Sequence, residues 1–193
     1  MNKGRIFIIS GPSGVGKGTV LSEVLKKIDG CWFSVSATTR APRPHEIDGM
    51  HYHFIDRTKF LDMIQNGEFL EYAEYVDNFY GTPAGPISEH IAAGTDVFLD
   101  VETQGSRQLC RKIPEAVSIF IIPPSIEALG ERLRGRRTES ESKIAERLRK
   151  AQEELNLAYT YDYTVVNDNI EDAAAEIIRI IATERMKTQQ EEQ

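Results

Sequence analysis

Continuous apolar runs alternate with helical apolar spacing along most of the chain. Residues 5–10 form an apolar run of the kind that a parallel strand buried on both faces shows. A glycine-rich segment follows at 11–18, and apolar residues then recur at helical spacing over 19–28. The N-terminal part of the chain therefore predicts a strand, a loop and a helix.

The same alternation returns after residue 95. Further strands are predicted at 96–101, 116–122 and 163–166, and further helices at 104–112, 125–134, 142–158 and 170–186. Strands that alternate with helices favour an α/β fold, in which a doubly wound parallel sheet is flanked by helices.

One long segment, 33–94, interrupts the alternation. It is rich in Pro, Gly, Tyr and His, with a short alternating piece at 51–55 and one predicted helix at 56–66. We interpret it as an inserted α+β lobe, and the charged, helical segment 125–161 as a lid. The prediction is thus one domain over 1–193, with a core at 1–32, 95–124 and 162–193, a lobe at 33–94 and a lid at 125–161.

The composition excludes several classes of protein. The 193-residue chain has a net charge of −7, which argues against a general nucleic-acid binder. No apolar run reaches the roughly 20 residues that span a bilayer. The apolar start leads into a glycine loop rather than a cleavage site, so we expect a cytoplasmic protein with no membrane partner. Clustered arginines still permit a phosphorylated small-molecule substrate.

The glycine-rich loop carries the first chemical signal. The segment GPSGVGK at 11–17 fits G-x-x-x-x-G-K and stands between a strand and a helix, as that pattern requires. Glycines let successive N–H groups point into one cavity, and the helix N-terminus adds partial positive charge. An ordinary glycine turn with an exposed lysine is the alternative. We predict that ATP phosphates bind here, through Gly11, Pro12, Ser13, Gly14, Val15, Gly16, Lys17, Gly18 and Thr19.

One position of the loop departs from the general pattern. The residue after the lysine is usually Ser or Thr, whose hydroxyl ligates Mg²⁺, and here it is Gly18. Thr19 is rotated by about 100° on the helix and is not an equivalent ligand. Because Mg²⁺ readily keeps several waters, we expect no direct protein ligand, with Asp100 reaching the ion through water. A helix N-cap is the alternative role for Asp100.

Four further motifs occur in a fixed order after the loop. They are S-x-T-T-R-x-P-R at 36–43, E-x-x-G-x-x-Y at 46–52, E-x-A at 71–73 and Y-G-T at 80–82. With them the chain resembles the guanylate kinase family over about residues 5–181. The resemblance implies phosphorylation of GMP and dGMP by ATP with Mg²⁺, in purine nucleotide metabolism and GMP recycling. It also implies that the lobe 33–94 binds GMP.

The resemblance implies a role for each motif residue. Arg40 and Arg43 would clamp the GMP phosphate, because the planar arginine fork suits two oxygens at once. Glu71 would accept hydrogen bonds from guanine N1–H and its 2-amino group. The implied GMP-binding residues are Ser36, Arg40, Arg43, Glu46, Tyr52, Glu71, Tyr80, Thr82, Asp100 and Glu102. Within this set, Ser36 and Thr82 would contact the base edge, and Tyr52 and Tyr80 would contact the phosphate. Glu46 would brace an arginine.

Glu102 departs from the family pattern, D-x-D-x-Q-G. Here the segment at 100–105 reads DVETQG, so the second carboxylate is one methylene longer. We expect its charge role to survive with adjusted geometry. The discrimination of GMP from dGMP or IMP is the property that this departure leaves open.

The lid resembles the family segment in which arginines approach ATP. On this alignment Arg132, Arg136 and Arg147 reach the phosphates, and Asn167 lies near the adenine, unless it is only a turn residue. Phosphoryl transfer depends on alignment and charge stabilisation. We therefore assign no general base and predict Lys17, Arg136 and Arg147 as the catalytic residues.

Two other classes of function stay open. Guanylate-kinase-like domains in scaffold proteins bind phosphopeptides without catalysis, but the retained Lys17 and lid arginines argue against that role. A related kinase could act on another phosphorylated acceptor, which Glu71 with Ser36 and Thr82 argues against. The arginines and tyrosines could also serve only as ion-paired surface and core filling. The sequence leaves the oligomeric state open.

Overall fold

A computed structural model describes residues 3–75, 77–135 and 140–191 of the chain. The strands are β1 (Ile6–Ser10), β2 (Cys31–Ser34), β3 (Ala37–Thr38), β4 (His53–Phe54), β5 (Phe69–Tyr75), β6 (Asn78–Pro83), β7 (Asp96–Asp100), β8 (Val117–Ile122) and β9 (Tyr163–Val166). The helices are α1 (Lys17–Lys27), α2 (Arg57–Gln65), α3 (Ala84–Ala92), α4 (Thr103–Lys112), α5 (Ile126–Gly135), α6 (Glu141–Leu155) and α7 (Ile170–Glu191), with a short 3-10 helix at Ala158–Thr160.

The apolar runs of the sequence form a five-stranded sheet in the order β2-β7-β1-β8-β9. The β2–β7 and β8–β9 pairs are parallel, with Cys31 opposite Asp96 and Ile119 opposite Tyr163. Strands buried on both faces need apolar residues throughout, and β7 and β8 are buried along most of their length. The predicted α/β class, a parallel sheet flanked by helices, is confirmed.

The chain divides into two compact units, and the first comprises Met1–Ile8 and Gly30–Ala116. It contains a second, four-stranded sheet in the order β4-β3-β6-β5. The ring of Phe60, from α2, stacks on Phe69 and Phe79 at centroid distances of 4.5 and 5.3 Å. This aromatic stack is the core of the small sheet.

The second unit comprises Ile9–Asp29 and Val117–Gln193. Helices α5 and α6 pack through a small apolar cluster of buried residues, Leu129, Leu133, Ile144 and Ala151. Where β8 begins, both the backbone N–H and the hydroxyl of Ser118 donate to Asp162 Oδ2, at 2.8 and 2.6 Å. That contact holds the turn before β9 against β8.

Local sequence patterns predicted most helices, and most strands of the five-stranded sheet, close to their observed bounds. The predicted strand at 163–166 coincides with β9, and the helix predicted at 56–66 is α2 together with its two caps, since Asp56 Oδ1 accepts from Lys59 N. Helix α1 begins two residues earlier than predicted, at Lys17, because the left-handed Gly16 is its N-cap. Helix α7 continues past the predicted end at Met186.

Strands β2, β3, β5 and β6 had no predicted bounds, and the prediction of one helix within 33–94 is wrong because α3 is a second one. The short strand β2 crosses the boundary between the predicted core and lobe, and α3 lies inside the predicted lobe. Helix α3 tolerates Pro86 because a proline in the first turn costs no intrahelical hydrogen bond. Its Ile87 packs in one cluster with Val97 and Leu99 of β7. The division into core, lobe and lid stays a prediction. Among the described helices, none is both long and apolar enough to cross a membrane.

Candidate active site

The glycine loop joins β1 to α1 and needs its glycines for two reasons. Gly11, Gly14 and Gly16 have φ angles of +148°, +91° and +98°, which side chains other than glycine rarely adopt. Space is also short, because a Cβ at Gly11 would lie 2.3 Å from the carbonyl oxygen of Ile121. These positions of the loop therefore require glycine.

Lys17, the first residue of α1, reaches back across the loop. Its Nζ donates to the carbonyl oxygen of Gly11 at 3.0 Å. The next residues on the helix, Gly18 and Thr19, are exposed, and a Cβ at Gly18 would meet nothing within 4 Å. The loop thus presents an ammonium group, while the usual position of the metal-ligating hydroxyl has no side chain.

Three side chains from later in the chain contact the loop. Asn167 Nδ2 donates to the Val15 carbonyl at 2.7 Å, and Arg132 Nη1 donates to the same oxygen at 3.4 Å. Arg147 Nη2 donates to Ser13 Oγ at 2.7 Å. The structure therefore brings the predicted residues Arg132, Arg147 and Asn167 to the loop, whereas the predicted Arg136 lies outside the described residues.

Asn167 is more than a turn residue. Its side chain is buried, and Oδ1 has no hydrogen-bond partner among the described residues. The turn is made instead by Asn169, whose Oδ1 accepts from the backbone N–H of Glu171 at 2.8 Å. The contact of Asn167 with adenine stays a prediction.

In the first unit, Arg40 and Glu46 form a two-pronged ion pair. Nη1 and Nη2 of Arg40 donate to the two Glu46 oxygens, each at 2.9 Å, and the Arg43 backbone N–H donates to Glu46 at 2.6 Å. The hydrogen bond from Arg40 lowers the pKa of Glu46, and the same bond raises the pKa of Arg40. The prediction that Glu46 braces an arginine is confirmed.

Aromatic rings surround the Arg40 guanidinium. Its centre lies 5.5 Å from the Tyr52 ring and 5.7 Å from the Phe54 ring, and Tyr52 meets Tyr80 edge-on at 6.0 Å. Burial raises the pKa of Tyr52 to about 12, and the charge of Asp100 adds to this effect. The Tyr52 hydroxyl therefore stays protonated at neutral pH and is available as a donor.

The other predicted polar residues differ in their exposure and in their contacts. Glu102 is exposed, and its charge also contributes to the raised pKa of Tyr52. The Arg43 side chain is exposed, and Ser36 has a described contact through its carbonyl, which accepts from the His53 N–H at 2.9 Å.

Sequence reasoning missed buried Thr38, whose Oγ1 donates to the Phe79 carbonyl and accepts from the Arg40 N–H. The only signal for Thr38 was its place in the S-x-T-T-R motif.

Glu71 is a buried carboxylate on β5, only 5% exposed. Its Oε1 accepts from Thr82 Oγ1 on the neighbouring strand β6 at 2.7 Å. Burial raises the pKa of Glu71, although the Thr82 hydrogen bond and the charge of Lys112 lower it in part. A buried carboxyl group beside a hydroxyl donor is suited to recognise hydrogen-bond donors of a ligand.

The raised pKa of Glu71 has a consequence for stability. A carboxyl whose folded-state pKa lies above its unfolded value destabilises the fold as pH rises, because the folded state then resists ionisation. Glu71→Gln, which removes the charge at nearly constant volume, is expected to raise the melting temperature at pH 7. The gain should shrink as the pH falls through about 4 and vanish below it, where the carboxyl is protonated in both states. Thermal unfolding across that range, with exposed Glu74→Gln as control, measures it; a gain that is independent of pH would contradict the assignment.

Fold and site together define the class of protein. The first strand of a parallel sheet leads through a glycine loop into a helix that begins with Lys17, which is the arrangement of P-loop α/β proteins. The family model described as "Guanylate kinase" matches residues 3–184. This chain belongs to the guanylate kinase family.

Individual relatives cover nearly the whole chain. A guanylate kinase from Streptococcus thermophilus is 49% identical over 188 residues, which are 97% of this chain and 90% of the relative. One from Clostridioides difficile is 48% identical over 187 residues, covering 97% and 91%. The crystal structure of guanylate kinase from Anaplasma phagocytophilum matches with a TM-score of 0.82 at 37% identity, covering 97% of this chain and 89% of that one.

Proposed function

We propose that this chain is an ATP:GMP phosphotransferase, which moves the terminal phosphoryl group of ATP onto GMP and releases ADP and GDP. The observation that carries the proposal is the buried carboxylate of Glu71 in a chain of the guanylate kinase family that also keeps the loop lysine, Lys17. Guanine offers N1–H and a 2-amino group together, whereas adenine offers no such pair of donors on that edge. A fixed acceptor pair therefore selects GMP.

At the ATP end, the glycine loop would receive the phosphates on its backbone N–H groups. Lys17, Arg147 and Arg136 would supply the charge that stabilises the transferring group. The contacts of Arg132 and Asn167 with Val15 support their placement beside ATP. Asn167 Oδ1 is a buried acceptor, which suits a donor such as the adenine amino group.

At the GMP end, the braced Arg40 would hold the phosphate, with Arg43 as a second cation. The protonated hydroxyl of Tyr52 and that of Tyr80 would donate to the same group. Asp100 and Glu102 would complete the site. These residues are proposed as a set because Arg40, Tyr52 and Tyr80 lie around one point in the first unit.

The base-reading side chains are proposed to be Glu71, Ser36 and Thr82. The Thr82 proton already points to Glu71. Thr82 therefore offers the base only its remaining lone pairs, and it also orients the acid.

Mg²⁺ is proposed to enter with ATP. Gly18 has no side chain and Thr19 points to solvent, so the ion would be held mainly by phosphate oxygens and water. Asp100 is a carboxylate of the type that Mg²⁺ prefers and would act through water. Bound there, Mg²⁺ would neutralise charge on the phosphates. No protein base is required, because the GMP phosphate is already an anionic nucleophile.

A coupled assay of ADP release tests this function. With ATP and Mg²⁺, GMP is expected to give the highest kcat/KM and dGMP the next, while AMP, UMP and CMP are expected to fall about a thousandfold or more below GMP. A site that leaves buried polar groups unpaired with the wrong base discriminates on that scale. Comparable rates with AMP would contradict the guanine assignment, and release of ADP without an acceptor would indicate an ATPase.

A further inference from the structure

We propose that Gly105 is a positioning residue for Glu71: its missing side chain leaves the space on α4 in which the Glu71 carboxylate is held to read the base. The inference rests on the proposed function, because it concerns how the same carboxylate is set in place.

Space is the first observation. An ideal Cβ on Gly105 would lie 2.4 Å from Glu71 Oε2 and 3.0 Å from Glu71 Cδ. Real Cβ atoms essentially never have a non-bonded neighbour closer than 3.0 Å. The carboxylate of Glu71 therefore occupies the volume that any other residue at position 105 would fill.

Backbone conformation does not explain this glycine. Gly105 lies in the first turn of α4, and it is not among the residues with positive φ. Glycine is among the least favourable residues inside a helix, where alanine is the best. A glycine at an ordinary helical position, pressed against a buried acid, is therefore explained by the space that the acid needs.

The position of the Glu71 carboxylate, at the N-terminus of α4, also favours a negative charge. The first N–H groups of a helix have no intrahelical acceptor and carry partial positive charge. The first turn of α4 contains no acidic residue, and Glu102 makes no side-chain capping bond. The Glu71 carboxylate, which lies against Gly105, is therefore near the positive end of the helix, and this opposes the cost of its burial.

Helix α4 is fixed to the strand that carries Glu71. Strand β5 is at the edge of the small sheet, so within the described part of the chain one side of its backbone has no partner strand. Lys112 Nζ donates to the Leu70 carbonyl at 2.5 Å, and Gln108 Nε2 donates to the Tyr72 carbonyl at 3.4 Å. Because the residues on both sides of Glu71 are tied to α4, a methyl group at position 105 would displace the carboxylate, which is the flexible end of its side chain.

Gly105→Ala tests the proposal through a split between two Michaelis constants. We expect the KM for GMP to rise about tenfold or more, because misplacing a recognition group by about 1 Å has effects of that size or larger. The KM for ATP and the melting temperature should change little. The matched control is Gly85→Ala on α3, where a Cβ meets nothing within 4 Å, and it should change neither constant.

A double variant removes the remaining ambiguity. In a Glu71→Ala background there is no carboxylate to displace, so adding Gly105→Ala should not raise the KM for GMP further. An unchanged KM for GMP in the single variant would overturn the proposal. So would a parallel change in both Michaelis constants and the melting temperature, or failure of the variant to fold, because each means that the helix gives way and not the carboxylate. If the unaltered enzyme does not phosphorylate GMP, the proposed function itself fails, which is a separate result.

Discussion

Replacing Lys17 by alanine is expected to lower kcat about a thousandfold. Removing one fixed group that stabilises transition-state charge typically costs between about a hundredfold and a thousandfold, and the ammonium group that we propose to hold the phosphates is expected at the upper end. The fold should survive, because Lys17 is only partly buried. Steady-state kinetics with GMP and ATP measure the loss.

The matched control for Lys17 is Lys27→Ala. Lys27 is exposed in the last turn of the same helix. The substitution there therefore removes the same charge far from the loop. We expect nearly normal turnover from this variant. Near-normal turnover by Lys17→Ala, with the melting temperature unchanged, would remove the loop lysine from the mechanism.

Glu71→Gln is expected to lower kcat/KM for GMP about a hundredfold or more. A carboxylate accepts from both guanine donors, whereas an amide accepts one and turns its own NH₂ towards the other. Leaving a buried donor unpaired is the kind of mismatch that gives the largest discrimination by an enzyme. IMP lacks the 2-amino group, so the preference for GMP over IMP should shrink in the same variant.

The control for this second variant is Glu74→Gln. Glu74 is exposed on the same strand and pairs with Arg57 at 3.6 Å. The same chemical change there should leave the ratio of GMP to IMP untouched. An unaltered ratio in Glu71→Gln would show that another group reads the base.

Sequence patterns predicted the features that depend on neighbouring residues. The alternation of buried runs and helical spacing predicted the parallel sheet, and the helix predicted at 56–66 is α2 with its caps. The glycine loop was predictable because three positive φ angles and a helix start demand particular residues within a few positions. The resemblance implied that Glu46 braces an arginine, and the structure identifies that arginine as Arg40.

Contacts between distant segments were not predictable in the same way. Strand β2 has four residues, too few to show a period, and it becomes a strand by pairing with β7. The fit of Gly105 to Glu71 joins residues on a helix and a strand whose register is set by the whole small sheet. Nor does any local pattern show that Asn167 donates to Val15, since the two are 152 positions apart.

That last distance has a meaning during synthesis of the chain. A ribosome that adds about 5–20 residues per second makes Asn167 roughly 8–30 s after Val15. Arg132 and Arg147, which also contact the loop, emerge late as well. The loop is thus made early in synthesis but receives these three contacts late. A nascent chain that ends before Asn167 should bind nucleotide poorly even though its loop is complete.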